Sequence, residues 1–180
     1  LGIDTTQATG SNRIKLYVNG VQVTAFQTNN DPSQNLDLAI NQAAQHAIGR
    51  NEQIAYYLDG YLTEINFVDG QQLTSSSFGK TDAATGQWIP KKFASTYGTN
   101  GFYLKFADAL AATAAAIGKD SSPNGNNWTP NNISVTAGAT YDAMIDSPTL
   151  SAVASNYAVM NPLAVGANSS QITFSNGNLT

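Results

Sequence analysis

The sequence predicts an all-β domain whose antiparallel strands pack as a β-sandwich. Apolar and polar residues alternate with a period of two in several segments, which is typical of strands with one buried face. Two of these segments end in tight-turn dipeptides, Asn19-Gly20 and Asp69-Gly70. Little sequence with helical character lies between the predicted strands. Short turns between strands favour an antiparallel sandwich over a parallel sheet.

The most regular predicted element is a β-hairpin in residues 12–26. Apolar residues alternate with Arg13, Lys15 and Tyr17 and predict one buried face: Ile14, Leu16 and Val18. Asn19-Gly20 follows, the dipeptide that best tolerates the positive φ angles of a type I′ turn. The alternation then resumes at Val21 and Val23, so residues 21–25 are the predicted return strand.

The next segment reads as a loop followed by two strands. Residues 27–45 are polar, and Asp31-Pro32 marks a turn. A short strand is predicted in residues 46–50. A longer one is predicted in residues 56–68, with one face formed by Tyr61, Thr63, Ile65 and Phe67. Asp69-Gly70 closes this strand.

The second half of the chain has weaker signals. Residues 73–93 are predicted to form a short helical turn and then a loop, with Thr74 as N-cap and Gly79 as C-terminal stop. Residues 100–108 alternate as a strand. Residues 108–117 have helical composition, although ten residues are marginal for an isolated helix. Turn-forming residues dominate 119–132, and residues 133–138 are predicted to form a brief strand.

The composition excludes several classes of function. Charged residues make up only 11% of the 180-residue chain, and its net charge of −4 does not suit a nucleic-acid partner. The absence of cysteine excludes disulfides and thiolate metal sites. No apolar run is long enough to insert into a membrane. The low charge instead favours packing in an assembly, where charged side chains are costly to desolvate.

Two parts of the sequence carry a resemblance. The segments "RIKLYVNGVQV", "IGRN" and "YLDGYLTEINFVDGQQLT" are similar to the C-terminal half of laminin-G-like jelly rolls of the concanavalin A-like superfamily. The longer run from "DGYLTEINFVDGQQLT" to "NISVTAG" resembles a module of marine bacteriophage tail-fibre and appendage proteins. This second resemblance covers residues 12–148.

The resemblance implies a jelly-roll module in residues 1–148, whose first strands lie upstream of Leu1. Residues 149–180 are then a mostly irregular linker toward a following domain. The implied role is that of a structural module of a virion appendage, a tail or head fibre, which also contacts host-surface glycans. The implied partners are other virion proteins and copies of the chain itself, with a trimer as the expected oligomer. The alternative is a cellular carbohydrate-binding or adhesin module of an extracellular protein.

The sequence does not predict an enzyme. Retaining glycoside hydrolysis needs two carboxyl groups about 5 Å apart. The nearest pair along the predicted strand, Asp59 and Glu64, has an odd separation that places the two side chains on opposite faces. The single histidine, His46, does not predict a Ser-His-Asp triad, because the sequence has no Gly-x-Ser-x-Gly nucleophile elbow.

Two groups of residues are candidates for glycan binding, because sugar sites combine aromatic faces with amide or carboxylate groups. The first is Trp128 with Asn126 and Asn127 in the Asn-rich turn. The second is Tyr56, Tyr57 and Asp59 at the start of a predicted strand. The alternative interpretation is that these aromatic residues belong to the core or cover it.

A calcium site is the one cofactor that the sequence suggests. Asp120, Asn124 and Asn126 supply the oxygen atoms that calcium prefers. Their spacing does not match that of an EF-hand loop. The alternative interpretation is a turn in which the side chains bond to their own backbone.

Overall fold

The computed structural model describes residues 1–51, 56–136 and 142–143. Within these ranges the secondary structure consists of short strands and two 3-10 helices, without an α-helix. Every pairing between these strands is antiparallel, so the described structure confirms the all-β class. The strands are β1 (Gly2–Ile3), β2 (Ile14–Val18), β3 (Val21–Val23), β4 (Ile65–Phe67), β5 (Gly79–Thr81), β6 (Trp88–Pro90) and β7 (Phe102–Leu104).

The chain divides into two compact units. The first comprises Leu1–Leu62 and Val68–Asn100, and the second comprises the described residues of Thr63–Phe67 and Gly101–Thr180. The first unit holds β1–β2–β3 as a three-stranded sheet and β5–β6 as a two-stranded one. The second unit holds the pair β4–β7.

The predicted hairpin is confirmed. β2 and β3 pair antiparallel with Leu16 opposite Val23 and Val18 opposite Val21. Asn19 and Gly20 have φ angles of 48° and 85°, the left-handed pair that a type I′ turn requires. β3 ends at Val23, two residues before the predicted end of the alternation.

The hairpin β5–β6 was not predicted, since residues 73–93 were predicted to form a short helical turn and then a loop. Asp82 organises its turn: its Oδ1 atom accepts the backbone N–H groups of Ala84 and Thr85, each at 2.9 Å. These bonds, that of the Thr85 amide first, lower the pKa of Asp82. The helical turn before it is confirmed as a 3-10 helix, Ser75–Ser77, with Thr74 at the N-cap. The Thr74 hydroxyl bonds to that of Ser76 rather than to a helix amide.

Two residues in the left-handed region set the limits of the central strands of the second unit. Glu64, at φ 49°, interrupts the predicted strand, which therefore begins only at Ile65. Phe106, at φ 56°, lies just past the end of β7. A left-handed residue breaks the extended backbone that the alternation of residues assumes.

Aromatic residues form the core of each unit. In the first unit, the Phe93 ring lies 5.2 Å from that of Phe78 and 5.0 Å from that of Tyr97. In the second unit, Phe102 stacks on Phe67 at 5.4 Å. All three residues of β7 are buried, so this strand has no solvent face.

Three weaker predictions were wrong within the described residues. Residues 108–117 form bends and turns, because amides such as those of Ile117 and Gly118 bond to carbonyls six and five residues back. Residues 46–50 contribute one isolated bridge, Arg50 to Tyr57, instead of a strand. Residues 133–136 form no strand, and 137–138 lie outside the described residues, as does the predicted linker 149–180.

Candidate functional site

One face of the β1–β2–β3 sheet is wholly apolar. Residues directly opposite in an antiparallel pair share a face, as do alternate residues along a strand. The registers therefore place six aliphatic side chains on one side of the sheet: Ile3, Ile14, Leu16, Val18, Val21 and Val23. We call this set the apolar face. It contains no charged or polar side chain.

Four of the six residues of the apolar face are exposed, although the alternation predicted that they would be buried. On the opposite side, Gln22 is exposed as well. Val18 is 55% exposed and Val21 is 71% exposed, and Ile14 and Leu16 also count among the exposed apolar residues. Lys15 and Tyr17, on the opposite side, are only half-buried and so are better covered than these neighbours. An aliphatic face in water is unfavourable by roughly 25 cal/mol for each Å² left uncovered.

Residues 72–73 contact the opposite side of the sheet at Gly2, and Trp88 lies against Gly20 in the turn. A Cβ atom on Gly2, which pairs with Lys15, would meet the backbone oxygen of Leu73 at 3.0 Å. The Ser75 hydroxyl donates to the carbonyl of Gly20 at 2.7 Å. The first unit thus packs its own residues against the polar side of the sheet.

Tyr56 and Tyr57 lie on a second exposed surface of the first unit. The two tyrosines are 71% and 65% exposed. The Tyr56 carbonyl accepts the amide of Asn51, and the Leu58 amide donates to the carbonyl of Gly49, each at 2.8 Å. These bonds hold the segment next to residues 49–51.

The surroundings of the two tyrosines supply polar groups as well. The guanidinium carbon of Arg50 lies 5.8 Å from the centroid of the Tyr57 ring, within the range of a cation–π contact. Asp59, the third residue of this predicted group, is also exposed. The structure therefore brings these side chains to the surface, where an aromatic ring is available to a ligand.

The other predicted group surrounds a buried carboxylate. Asp120 is 4% exposed and lies beside β7 through an isolated bridge to Leu104. Its Oδ1 atom accepts the backbone N–H groups of Tyr103 and Ser122, each at 2.8 Å. Its Oδ2 atom accepts the Ser122 hydroxyl and the Asn126 amide, also at 2.8 Å. All four donors point at one carboxylate.

These hydrogen bonds decide the charge state of Asp120. Burial by itself raises the pKa of a carboxyl group, because it disfavours the charged form. The bonds from Tyr103, Ser122 and Asn126 outweigh burial, so the pKa of Asp120 is lowered below its ordinary value. Asp120 is therefore a charged acceptor that fixes the turn, in the way that the Asx-turn interpretation predicts.

The asparagines of the calcium hypothesis take part in the same turn. The side-chain amides of Asn124 and Asn126 both donate to the carbonyl of Gly101, at 2.8 and 3.0 Å. A calcium ion at Asp120 would have to displace donors that already occupy both carboxylate oxygens. No group of three or more His, Asp or Glu side chains in the described ranges is arranged to hold a metal ion. Calcium binding itself stays a prediction.

Trp128 covers the core next to this turn. Its ring centroid lies 4.9 Å from that of Phe102 in a tilted arrangement, and its side chain is half-buried. Its backbone amide donates to the carbonyl of Gly118 at 2.8 Å. Asn127 is exposed, and its side-chain oxygen accepts the Asp120 amide at 2.9 Å. Both residues thus have structural contacts, and Trp128 offers a ligand less of its ring than Tyr56 and Tyr57 do.

His46 lies in an exposed loop of the first unit. Its two ring nitrogens lie 2.8 and 3.1 Å from the carbonyl oxygens of Ala44 and Ala39. These contacts are local and join the loop to itself.

The exposure of the apolar face could not be predicted from the alternation of residues. The alternation in β2 correctly indicates which side chains share a side of the sheet. It carries no information on whether another layer of this chain covers that side. Only the low charge of the chain pointed toward burial in an assembly.

Comparisons of the chain with protein-family models, with curated proteins and with solved structures found no match. Among the residues that the structure describes, no helix has the length and apolar character that a membrane span requires.

Proposed function

We propose that the chain is a structural module of a phage virion appendage, a tail or head fibre, and that copies of it pack together through the apolar face. The observation that carries this proposal is the exposure of Val18 and Val21 at 55% and 71%, on a side of the sheet that has only aliphatic side chains. Single exposed aliphatic residues are common on soluble proteins, whereas contiguous apolar patches mark interaction sites.

A second copy is the occupant that the chemistry of the apolar face favours. A charged side chain in the centre of a contact between copies would be costly to desolvate, so the centre of such a contact is depleted of charge. The apolar face has no charged residue, and the whole chain has only 20 among its 180 residues. Each partner buries roughly 800 Å² in a standard interface, so the six aliphatic side chains would form the centre of a larger contact with a polar rim.

The finer architecture belongs to the same proposal. The chain would be a laminin-G-like jelly-roll module spanning residues 1–148, followed by a linker in residues 149–180, and it would not be an enzyme. The resemblance of residues 12–148 to appendage modules supports this, together with the antiparallel pairing and the Asn19-Gly20 hairpin. Packing on the apolar face gives such a module the second layer that a sandwich requires.

Sedimentation of the 180-residue chain over a dilution series tests the assembly. We expect a discrete oligomer that dissociates on dilution, and a Val18→Thr/Val21→Thr variant that stays monomeric. Threonine keeps the strand propensity and places a hydroxyl on the face. Gln22→Thr, on the opposite side of β3, is the matched control and should associate like the wild type. A wild-type chain that is monomeric at every concentration would refute packing between copies.

A second function, glycan binding, is favoured by one specific observation. Tyr56 and Tyr57 present exposed rings beside Arg50 and Asp59, and aromatic rings stack on the apolar faces of sugars. This function fits an appendage that touches host-surface glycans, and it equally fits an adhesin or carbohydrate-binding module of a cell.

A glycan-array screen with and without calcium tests this second function. We expect Tyr56→Ala/Tyr57→Ala to abolish saturable binding to uncharged glycans. The control is Phe26→Ala, which removes another exposed ring of the first unit. Loss of binding in Trp128→Ala alone would move the site to the Asn-rich turn, and calcium dependence would favour Asp120 as a ligand. Equal binding by all variants would exclude both groups.

A further inference from the structure

A pocket of about 230 Å³ lies in the second unit, apart from the residues of the proposed function. It is lined by residues 105–108 together with Ala116, Lys119 and Ser121. Its wall is fixed by the backbone, because the Ser121 amide donates to the carbonyl of Tyr103 at 2.7 Å. Ala116 is buried. The wall of the pocket is therefore held by hydrogen bonding to the core strand β7.

The charge of this pocket differs from that of the chain. The chain has 12 acidic residues against 8 Lys and Arg, yet two of its lysines, Lys105 and Lys119, line this one pocket with a single acid, Asp108. The Asp108 Oδ1 atom accepts the Leu110 amide at 3.1 Å. Asp120, next to Lys119 in sequence, is buried and accepts the four hydrogen bonds described above.

Both lysines have ammonium groups available to a ligand. Lys105 and Lys119 are exposed. In the described part of the chain, no hydrogen bond or ion pair involves the side chain of either residue. Two lysines that line one small pocket favour an anionic ligand, and a lysine holds an anion as a point charge.

Phe106 supplies an unusual feature of the same pocket. It has a φ angle of 56°, which is rare and unfavourable for a bulky residue. Backbone strain of this kind clusters at binding sites, where the surrounding structure maintains it. Phe106 therefore adds an aromatic side chain to the residues that line the pocket, next to Lys105 in the sequence.

We propose that this pocket binds an anionic sugar, with Lys105 and Lys119 facing its carboxylate or sulfate group and Phe106 contacting the apolar side of its ring. The volume lies below the roughly 300–1,000 Å³ of drug-sized sites, which suits a single sugar residue. A uronic acid and a sulfated sugar share this chemistry. The proposal is independent of packing through the apolar face.

Titration of the ¹⁵N-labelled full chain, followed by NMR at constant ionic strength, tests the proposal. The probes are glucuronic acid, N-acetylglucosamine 6-sulfate and uncharged glucose. We expect saturable shifts of the amides of Lys105, Phe106 and Ser121 with one or both charged sugars, and none with glucose. The charged sugar with the lower Kd identifies the anionic group.

Substitution of the lysines provides the second arm of the test. Lys105→Gln/Lys119→Gln should weaken binding about tenfold or more, the loss expected for charge-assisted contacts. Lys80→Gln/Lys91→Gln, which removes two lysines of the first unit, is the matched control and should bind like the wild type. Equal shifts with glucose, unchanged binding by the Lys105→Gln/Lys119→Gln variant, or no saturable shift with either charged sugar would overturn the proposal.

Discussion

Val18 and Val21 face each other across the β2–β3 hairpin, and their side chains are 55% and 71% exposed. A cross-strand pair of β-branched residues normally stabilises a sheet by contact with a second layer as well as with each other. Here the pair lies on the apolar face, while residues 72–73 of the same unit contact the other side of the sheet at Gly2. The hairpin therefore has the side-chain pattern of an inner strand pair and the exposure of an outer one.

Asp120→Asn should destabilise the protein. Each carboxylate oxygen accepts two hydrogen bonds, so the new amide nitrogen would face donors in either orientation. We expect a loss of about 2–4 kcal/mol in the free energy of unfolding, measured by urea denaturation. Asp108→Asn, where the exposed carboxylate accepts the Leu110 amide, should cost much less. Similar losses in both variants would show that the four bonds to buried Asp120 contribute no more to the free energy of unfolding than the one bond to exposed Asp108.

The stability contributed by Asp120 should depend on pH. Its pKa is lower in the folded chain than the ordinary value of about 3.9, so the unfolded chain binds more protons in acid. The contribution is present above about pH 4 and is lost as the pH falls through the folded-state pKa. The stability difference between wild type and Asp120→Asn should therefore be constant from about pH 6 to pH 5 and become smaller as the pH falls from about 4 to 3. We would measure it by urea denaturation from about pH 6 to pH 3. A difference that stays constant over this range would contradict the lowered pKa.

Gly79→Ala should also destabilise the protein, through the side chain of Trp88. A Cβ atom on Gly79 would overlap the six-membered ring of Trp88, which also covers Gly20 with its five-membered ring. We expect a loss of about 1–3 kcal/mol, measured as a lower thermal midpoint, because the indole has to shift. The control is Gly60→Ala, whose Cβ would lie 3.7 Å from a Leu58 methyl group. That control should stay within about 0.5 kcal/mol of wild type. Equal midpoints for the two variants would refute the overlap.

The local signals in the sequence predicted the elements that depend on local chemistry. Asn19-Gly20 predicted the hairpin, because few dipeptides adopt two successive left-handed residues at low cost. The alternation around Phe102 predicted β7, and Thr74 predicted the start of a helical turn. In each case the conformation depends on residues that are adjacent in the sequence, so the sequence alone is enough to predict it.

Elements that depend on distant contacts or strained residues could not be predicted. Glu64 and Phe106 have positive φ angles that their residue types disfavour, and no sequence pattern announces them. β5 pairs with β6 through a short hairpin, where Trp88 covers Gly79 from the facing strand. Gly79 was predicted to end a helical turn, and the residues after it, up to 93, to form a loop. Only the pairing with β6 shows that Gly79 begins a strand.

For the candidate site, too, the local turn could be predicted from the sequence, whereas the burial and the hydrogen-bond partners of its side chains could not. The Asn-rich sequence around Asp120 predicted a turn with oxygen-rich side chains, and the structure has that turn. Sequence alone could not show that Tyr103 and Asn126 would fill both carboxylate oxygens with donors. Nor could it show that Tyr56 is more exposed than Trp128, because burial depends on the packing of Phe102 against Trp128.

The reactivity of a single thiol on the apolar face tests the central claim most directly. The chain has no cysteine, so Val18→Cys introduces the only thiol, and Gln22→Cys places a control thiol on the opposite side of the same hairpin. Packing between copies predicts that the thiol of Val18→Cys reacts more slowly with a water-soluble disulfide reagent as protein concentration rises, while that of Gln22→Cys reacts at a constant rate. Identical and concentration-independent rates for the two variants would contradict the claim that copies of this chain bury the apolar face.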